Sequence, residues 1–336
     1  LKDSDSSGGR CLVFVNYNVL DQNTDWYRSE LYRYTHQDQF GKTPNWMGWG
    51  ESTLIARTQL SVRRHVLSSV VPPMEKILED HFLQIARDGA HGLQIDKLCV
   101  GSALDFNPLN QSKPDVALCE GLVQSVARVW QKCRQIDPDF CFASECSGDR
   151  FIPYIDVYYR SAGGTNISPL RYVFPEWTSA IHIGGGLFEF NGINGAVLTG
   201  AVICVEPQFY QGSLGHPHYR ELARYLKEVE RLRHELADII FLGKYYDNLY
   251  ATINLSGGGM PADLVYKTHG HYQTDRRAIV VANLSGQPYQ YQWQFGHRDV
   301  QKAQLYAPFE PVKEVLKGTP LEIKPEGLHI LVESED

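Results

Sequence analysis

The stretch Gly92-Leu93-Gln94-Ile95-Asp96-Lys97 is a short apolar run that closes on a carboxylate. Phe140-Cys141-Phe142-Ala143-Ser144-Glu145 repeats the design further along the chain. Runs of this length, apolar on both faces, read as buried strands of a parallel sheet. Helical spacing precedes each. Met74 to Asp88 places Ile77, Leu78, Phe82 and Ile85 on one face, with Pro72 and Pro73 at its start and Gly89 as its stop. Glu120 to Gln135 reads as a second helix, stopped by Asp137-Pro138. Strands alternating with helices predict βαβ units.

The alternation extends outward in both directions. Cys11 to Val15 reads as a strand ending at Asn16, followed by an excursion rich in Trp and Tyr (Trp26, Tyr27, Tyr32, Tyr34, Trp46, Trp49). Tyr154 to Tyr159 reads as a strand ending at Arg160, and Leu170 to Phe174 as another ending at Pro175-Glu176-Trp177. Gly195 to Val205 is a last apolar run, ending at Glu206. Pro217 to Ala237 reads as an amphipathic helix, with Leu222, Leu226, Val229, Leu232 and Leu236 in register. After Lys244 helical spacing stops. Short strands follow at Ala278–Ala282, Tyr289–Phe295, Lys302–Tyr306, Val312–Leu316, Leu321–Lys324 and His329–Val332, the pattern of an antiparallel β-sandwich.

The predicted organisation is α/β: a flexible Ser/Gly-rich lead-in over 1–10, a (β/α) barrel over 11–243, and a C-terminal antiparallel β-sandwich over 244–336. A (β/α)8 TIM barrel needs eight strands and this reading finds about six, so the expectation is a barrel whose first two units precede Leu1. A doubly wound sheet would want a Gly-rich phosphate loop between an early strand and a helix. Gly184-Gly185-Gly186 and Gly257-Gly258-Gly259 read as turns instead.

Composition narrows the class of function. The 336 residues are 43% hydrophobic and 21% charged, with a net charge of −7 and no basic block, which argues against nucleic-acid and anionic-membrane partners. No apolar stretch reaches membrane-spanning length. The seven cysteines form no CxxC pair and sit mostly in apolar runs, so they read as core thiols rather than zinc ligands. Asp3 to Gly8 begins like a calcium loop, but Phe14 stands where the closing acid belongs. His216-Pro217-His218 lacks a third ligand and reads as surface capping, and no Ser sits in a G-x-S-x-G elbow. Cellular location, cytoplasmic or exported after loss of an upstream segment, stays open, as does the oligomeric state.

The chemistry rests on the strand ends. Residues two apart on a strand share a face, so Gln94 and Asp96 point one way and Ile95 and Lys97 the other. In a barrel, catalysis sits at the carboxyl ends of the strands. Adjacent strands lie about 4.8 Å apart. Asp96 and Glu145 can therefore approach the roughly 5–5.5 Å separation of a retaining glycosidase pair, with Asp96 as nucleophile and Glu145 as general acid/base. Gln94, Lys97, Asp149, Arg160, Glu176, Trp177 and Asn16 are the candidate substrate-binding residues. Arg160 and Glu176 would bond sugar hydroxyls, and Trp177 and Tyr210 would stack on a ring or pack in the core. Asp149-Arg150 reads as a local pair that fixes its loop, and Asp156 lies at the wrong end of its strand for catalysis. No metal or organic cofactor is called for. A Schiff base on Lys97 is a further alternative.

Gly92-Leu-Gln-Ile-Asp96 followed by a strand ending in Glu145 resembles the alpha-amylase-type glycoside hydrolases. The resemblance implies an α-linked glycoside substrate, with Asp96 matching the nucleophile of the fourth barrel strand and Glu145 the acid/base of the fifth. Gln94 stands where that family has an Arg, and Pro175-Glu176 where its seventh strand ends in His-Asp. These departures keep a non-catalytic carbohydrate-binding barrel in view. The phrases Leu93-Gln-Ile-Asp-Lys97, Asp105-Phe-Asn-Pro108, Ala143-Ser-Glu145, Asp149-Arg150, Tyr154-Ile-Asp-Val-Tyr158 and Phe174-Pro-Glu-Trp177 are similar to a group of bacterial glycosidase-like barrels over about residues 70 to 210. The barrel with an appended β-sandwich also resembles the alpha-galactosidase superfamily. That superfamily draws its acid from the sixth strand, near Arg160, where this chain has no Asp.

Overall fold

The computed structural model describes residues 8–17, 19–43, 63–66, 70–96, 98, 104–145, 148–159, 169–174, 177–183, 189–205, 213–255 and 258–334. The chain divides into two compact units, Leu1–Tyr158 and Tyr159–Asp336.

The first unit is built on parallel strands. β1 (Leu12–Asn16), β2 (Gly92–Asp96), β3 (Cys141–Glu145) and β4 (Val157–Tyr159) lie side by side in that order. β1 pairs with β2 from Leu12–Gly92 to Asn16–Asp96, and β2 with β3 from Gly92–Cys141 to Ile95–Ser144. One strand face carries Val15, Leu93, Ile95, Phe142 and Ser144, all buried. The crossovers are helical, α1 (Pro72–Arg87) before β2 and α2 (Leu122–Ile136) before β3. The two helices pack on each other and bury Leu78, Phe82, Val126, Val129 and Cys133. Glu75–Arg128 at 2.5 Å and Glu79–Lys132 at 2.6 Å tie their outer faces, contributing little beyond orientation because water reaches them. Asp156 closes the base of the sheet. It accepts from Arg134 (2.8 Å) and from the Phe142 N–H (2.8 Å), the structural role that its place at a strand start predicts.

In the second unit β5 (Ser179–Ile183) and β6 (Val202–Val205) pair in parallel, with α3 (Phe190–Thr199) as their crossover. Gly200 ends α3 in the left-handed region at φ 66°, where a side chain would meet the Ile240 carbonyl. α4 (Arg220–Glu235) follows. The strands from residue 244 onward are antiparallel. β7 (Lys244–Asp247), β9 (Leu264–Gly270), β10 (Arg277–Asn283), β12 (Lys302–Tyr306), β13 (Lys313–Leu316) and β15 (Leu328–Glu333) form a sheet in the order β13-β12-β15-β10-β9-β7. β8 (Ala251–Leu255), β11 (Tyr289–Phe295) and β14 (Leu321–Ile323) form the facing sheet, in the order β8-β11-β14. Between the sheets lie Ile279, Val281, Tyr291, Trp293, Phe295 and Leu331. The outer side of the larger sheet shares a second core with the helices: Val280, Ile330 and Val332 pack with Val197, Leu198, Val229 and Leu232. The last helices and the sandwich therefore bury one continuous apolar volume.

Strand–helix alternation followed by an all-β tail is the architecture observed, with two local corrections. Leu170–Val173 is one turn of helix, and the strand of that region is β5. Trp177 precedes β5 and follows no strand among the described residues, while Pro175 and Glu176 lie outside them. Gly195–Val205 is the end of α3 plus β6, because a helix buried on all sides is as uniformly apolar as a buried strand and periodicity cannot separate them. β7, β8 and β9 were not legible. The burial patterns of β7 and β9 alternate weakly, β8 is only five residues long, and Tyr, Lys and Asn occupy several of their positions.

Two predictions follow from this packing. A methyl group at Gly92 would lie 2.3 Å from the Cys141 carbonyl oxygen, so Gly92→Ala should push β2 from β3 and cost about 1–3 kcal/mol of stability by urea denaturation. Burial lowers His269 and His329 from 6.5 to about 4, the Leu198 carbonyl partly opposing this at His269. Between pH 6.5 and 4 the unfolded chain binds protons that the folded one refuses. Stability is thus full above pH 6.5 and falls as the pH drops towards 4, by on the order of 3 kcal/mol per histidine. Denaturation midpoints across that window test it, and His329→Gln should flatten part of the slope.

Candidate active site

The β1–β2–β3 register brings three polar residues into one row. Asn16 is the partner of Asp96, and the pairing of β2 with β3 runs to Ile95–Ser144, the residues just before Asp96 and Glu145. All three stand at the carboxyl ends of neighbouring parallel strands. Strand alternation puts Phe14, Gln94 and Ala143 in the next row on the same face, and Leu12, Gly92 and Cys141 below them. The opposite face is the buried apolar one, so the polar row points away from the helix-facing core.

Asp96 is 8% exposed, Glu145 is half-buried and Asn16 is exposed. The strand end is fixed through its backbone, the Tyr17 N–H donating to the Asp96 carbonyl at 3.1 Å. Asn16 Oδ1 accepts from the Val19 N–H at 3.1 Å, turning the chain away from the sheet. Tyr17 is buried against Phe82 and bonds Ser125 Oγ at 3.1 Å, and burial pushes its hydroxyl up to about 12, which suits packing rather than proton transfer.

The other candidate residues fall in different places. Gln94 is half-buried in the row below Asp96. Asp149 is exposed in a single turn, Asp149–Phe151, just after β3. Its neighbour Arg150 reaches across to Glu120 (2.6 Å), so the local Asp149–Arg150 pair is replaced by one between two segments. Two carboxylate oxygens offer Arg a forked partner that the adjacent side chain cannot match in geometry. Trp177 is 4% exposed, and its carbonyl accepts from Arg171 at 2.8 Å. It is a core residue, not an open stacking platform. Lys97, Arg160, Glu176 and Tyr210 lie outside the described residues. His216 caps its own turn, Nδ1 accepting from the His218 N–H at 3.3 Å. Among the described residues no three His, Cys, Asp or Glu side chains gather as a metal site, and no helix is long and apolar enough to cross a membrane.

Two features were missed from sequence. A cavity of about 490 Å³ opens beside Asn16, walled by Tyr17, Leu31, Met74 and Leu78, with Trp26 at its edge. Trp26 is 51% exposed and donates to Glu30 at 3.1 Å, so it presents an aromatic face at the edge of this cavity. The second is the Asp105-Phe-Asn-Pro108 phrase, which serves as a clamp. Buried Asp105 accepts from the backbone of Gln37 and Asn107, and Asn107 Nδ2 donates to the Arg33 and Thr35 carbonyls at 2.9 and 2.7 Å. His36 Nε2 meets the Leu104 carbonyl at 2.8 Å. Only contacts across many residues reveal this role.

No protein-family model and no curated protein sequence matches this chain. Solved structures match in fold. An alpha-amylase from Geobacillus thermoleovorans, determined with acarbose, aligns over 100% of this chain and 79% of its own, with a TM-score of 0.62 at 12% identity. A trehalose-6-phosphate hydrolase from Bacillus licheniformis aligns over 100% and 85% (TM-score 0.60, 11% identity), and an isomaltulose synthase from Klebsiella sp. LX3 over 99% and 85% (TM-score 0.65, 11% identity). The chain has the fold of these enzymes, a TIM-type barrel sheet followed by a β domain.

Asn107→Ala would strand the buried Thr35 carbonyl and free the part-buried Arg33 carbonyl. We expect a loss of about 1–3 kcal/mol and faster proteolysis between residues 33 and 38, with the far-UV spectrum kept. Unchanged proteolysis would remove the clamp from the account.

Proposed function

We propose that this protein is a retaining glycoside hydrolase acting on an α-linked glycoside. The observation that supports the reading is the parallel pairing of β2 with β3, which runs to Ile95–Ser144 and is followed on each strand by a carboxylate, Asp96 and Glu145. The fold shared with amylase-type enzymes supports it. In this reading the Asp96 carboxylate attacks the anomeric carbon while the Glu145 carboxylic acid gives its proton to the leaving glycosidic oxygen. Glu145, now a carboxylate, then takes a proton from water. That water displaces Asp96 from the sugar and restores both groups. Asn16, Gln94 and Asp149 hold sugar hydroxyls, and Trp26 stacks on a ring bound beside β1. Lys97, Arg160 and Glu176 belong to the same proposal as sequence-level candidates.

A second reading has a specific basis. Gln94 occupies the inward row beneath Asp96, where a cation would steady a nucleophilic carboxylate and an amide holds it less strongly. A barrel that binds oligosaccharide without cleaving it is therefore the alternative.

Aryl and natural α-glucosides separate these. Asp96→Asn should abolish turnover of both by at least about 10³-fold. Glu145→Gln should slow natural glycosides strongly but spare aryl glycosides with acidic leaving groups, which depart without a proton. The first-formed product should keep the α configuration by NMR. Full activity in Asp96→Asn would defeat the catalytic assignment, and binding without turnover, indifferent to Glu145→Gln, would establish the alternative.

A further inference from the structure

The second unit contains a recess of about 280 Å³ that takes no part in the chemistry above. Its walls come from the start of α3, from α4, from the loop between β12 and β13, and from the loop between β14 and β15. Its size is near the lower bound of ligand pockets, roughly 300–1,000 Å³, which suits one ring rather than a chain.

The walls are aromatic and held in place. Phe309 is 50% exposed on a backbone at φ 63°, a region that bulky side chains seldom occupy. Glu326, across the recess, is likewise at φ 52°. The Arg224 guanidinium sits 5.0 Å from the Phe309 ring centre and steadies it. Behind Phe309 lies Tyr225, edge-on to Phe190 at 4.7 Å. Tyr225 donates to Asn194 Oδ1 (2.6 Å), and Asn194 Nδ2 donates to the Glu326 carbonyl (2.9 Å), which joins helix and loop. An aromatic held half in water by a costly backbone conformation is poor packing but good presentation.

The polar groups are arranged with similar economy. Glu310 accepts from Lys324 (3.1 Å) and Lys313 (3.3 Å), so the carboxylate is ionised and its charge is met. His329 is 7% exposed, with Nδ1 at 2.9 Å from the Tyr291 hydroxyl. Burial keeps Tyr291 protonated and His329 neutral, its value lowered to about 4. A buried Tyr proton without an acceptor is costly, so Tyr291 donates to Nδ1 and Nε2 carries the remaining N–H of a ring that lines the recess.

We propose that this recess binds a single neutral sugar ring, stacked on Phe309 and hydrogen-bonded by Glu310, Lys324 and the His329 Nε2–H. One apolar wall with compensated ionic groups at the rim matches a pyranose, whose ring face is C–H-rich and whose edge carries hydroxyls. The preference for a sugar over another ring of that size rests on the glycosidase reading; the presented aromatic and the lining histidine do not.

The test uses the full chain carrying Asp96→Asn, so that the probe survives whichever reading of the barrel holds. Maltose is titrated while the His329 ring resonance, assigned with His329→Gln, is followed by NMR. The resonance should shift with saturation, Phe309→Ala should weaken binding there by roughly tenfold, and Phe309→Trp should retain it. A resonance that stays still, or moves equally in Phe309→Ala, would overturn the site. A response to benzyl alcohol but not to maltose would overturn the ligand class. The shift read here and turnover by the unmodified chain are independent, so the loss of either leaves the other to be judged separately.

Discussion

Parallel pairing of β1, β2 and β3 is the constraint on which the first unit depends. In a parallel ladder every residue has a fixed neighbour, and a slip of one residue would turn each strand over. The buried face holds Leu93, Ile95 and Phe142 at 0–1% exposure, so such a slip would put them in the polar row and Asp96 in the core. The apolar core thus sets the geometry of the carboxylates without touching them. Gly92 belongs to the same constraint, since the Cys141 carbonyl occupies the space a side chain would need. Asp156 secures the far end by satisfying both Arg134 and the Phe142 amide.

The second unit obeys a different constraint. α3 is buried on nearly every side, wedged between its own parallel strands and β10 of the sandwich. A helix so placed cannot carry charge, and it carries none: Phe190-Asn-Gly-Ile-Asn-Gly-Ala-Val-Leu-Thr199 is apolar or small apart from two Asn and a terminal Thr. Both asparagines bond carbonyls across the fold, Asn191 to Leu284 and Asn194 to Glu326. The sandwich is therefore a wall of the same core rather than an appendage. The recess beside Phe309 exists because helix and loops meet there and are pinned by Asn194.

Much of this architecture was open to reading. The α1 and α2 patterns, Pro72 and Pro73 at one helix start and the alternating strands from Ala278 onward are local signals, and local signals survive folding when a segment has one polar face and one apolar face. Where both faces are buried the signal vanishes, which is why Gly195–Val205 conceals a helix and a strand; Leu170–Phe174 passes for a strand because a single helical turn is too short to show a period.

The same division separates the residues of interest. Local chain chemistry dictates that Asp96 and Glu145 close two apolar strands and that Gln94 shares a face with Asp96, because a period of two is a property of the extended backbone. Tertiary structure alone decided that Asn16 joins their row, that Trp177 is a core residue, that Arg150 serves Glu120, and that Asp105 and Asn107 clamp a distant segment. Each of those depends on which segments become neighbours. That is fixed by the burial of the whole apolar surface at once, and no single stretch of chain encodes it.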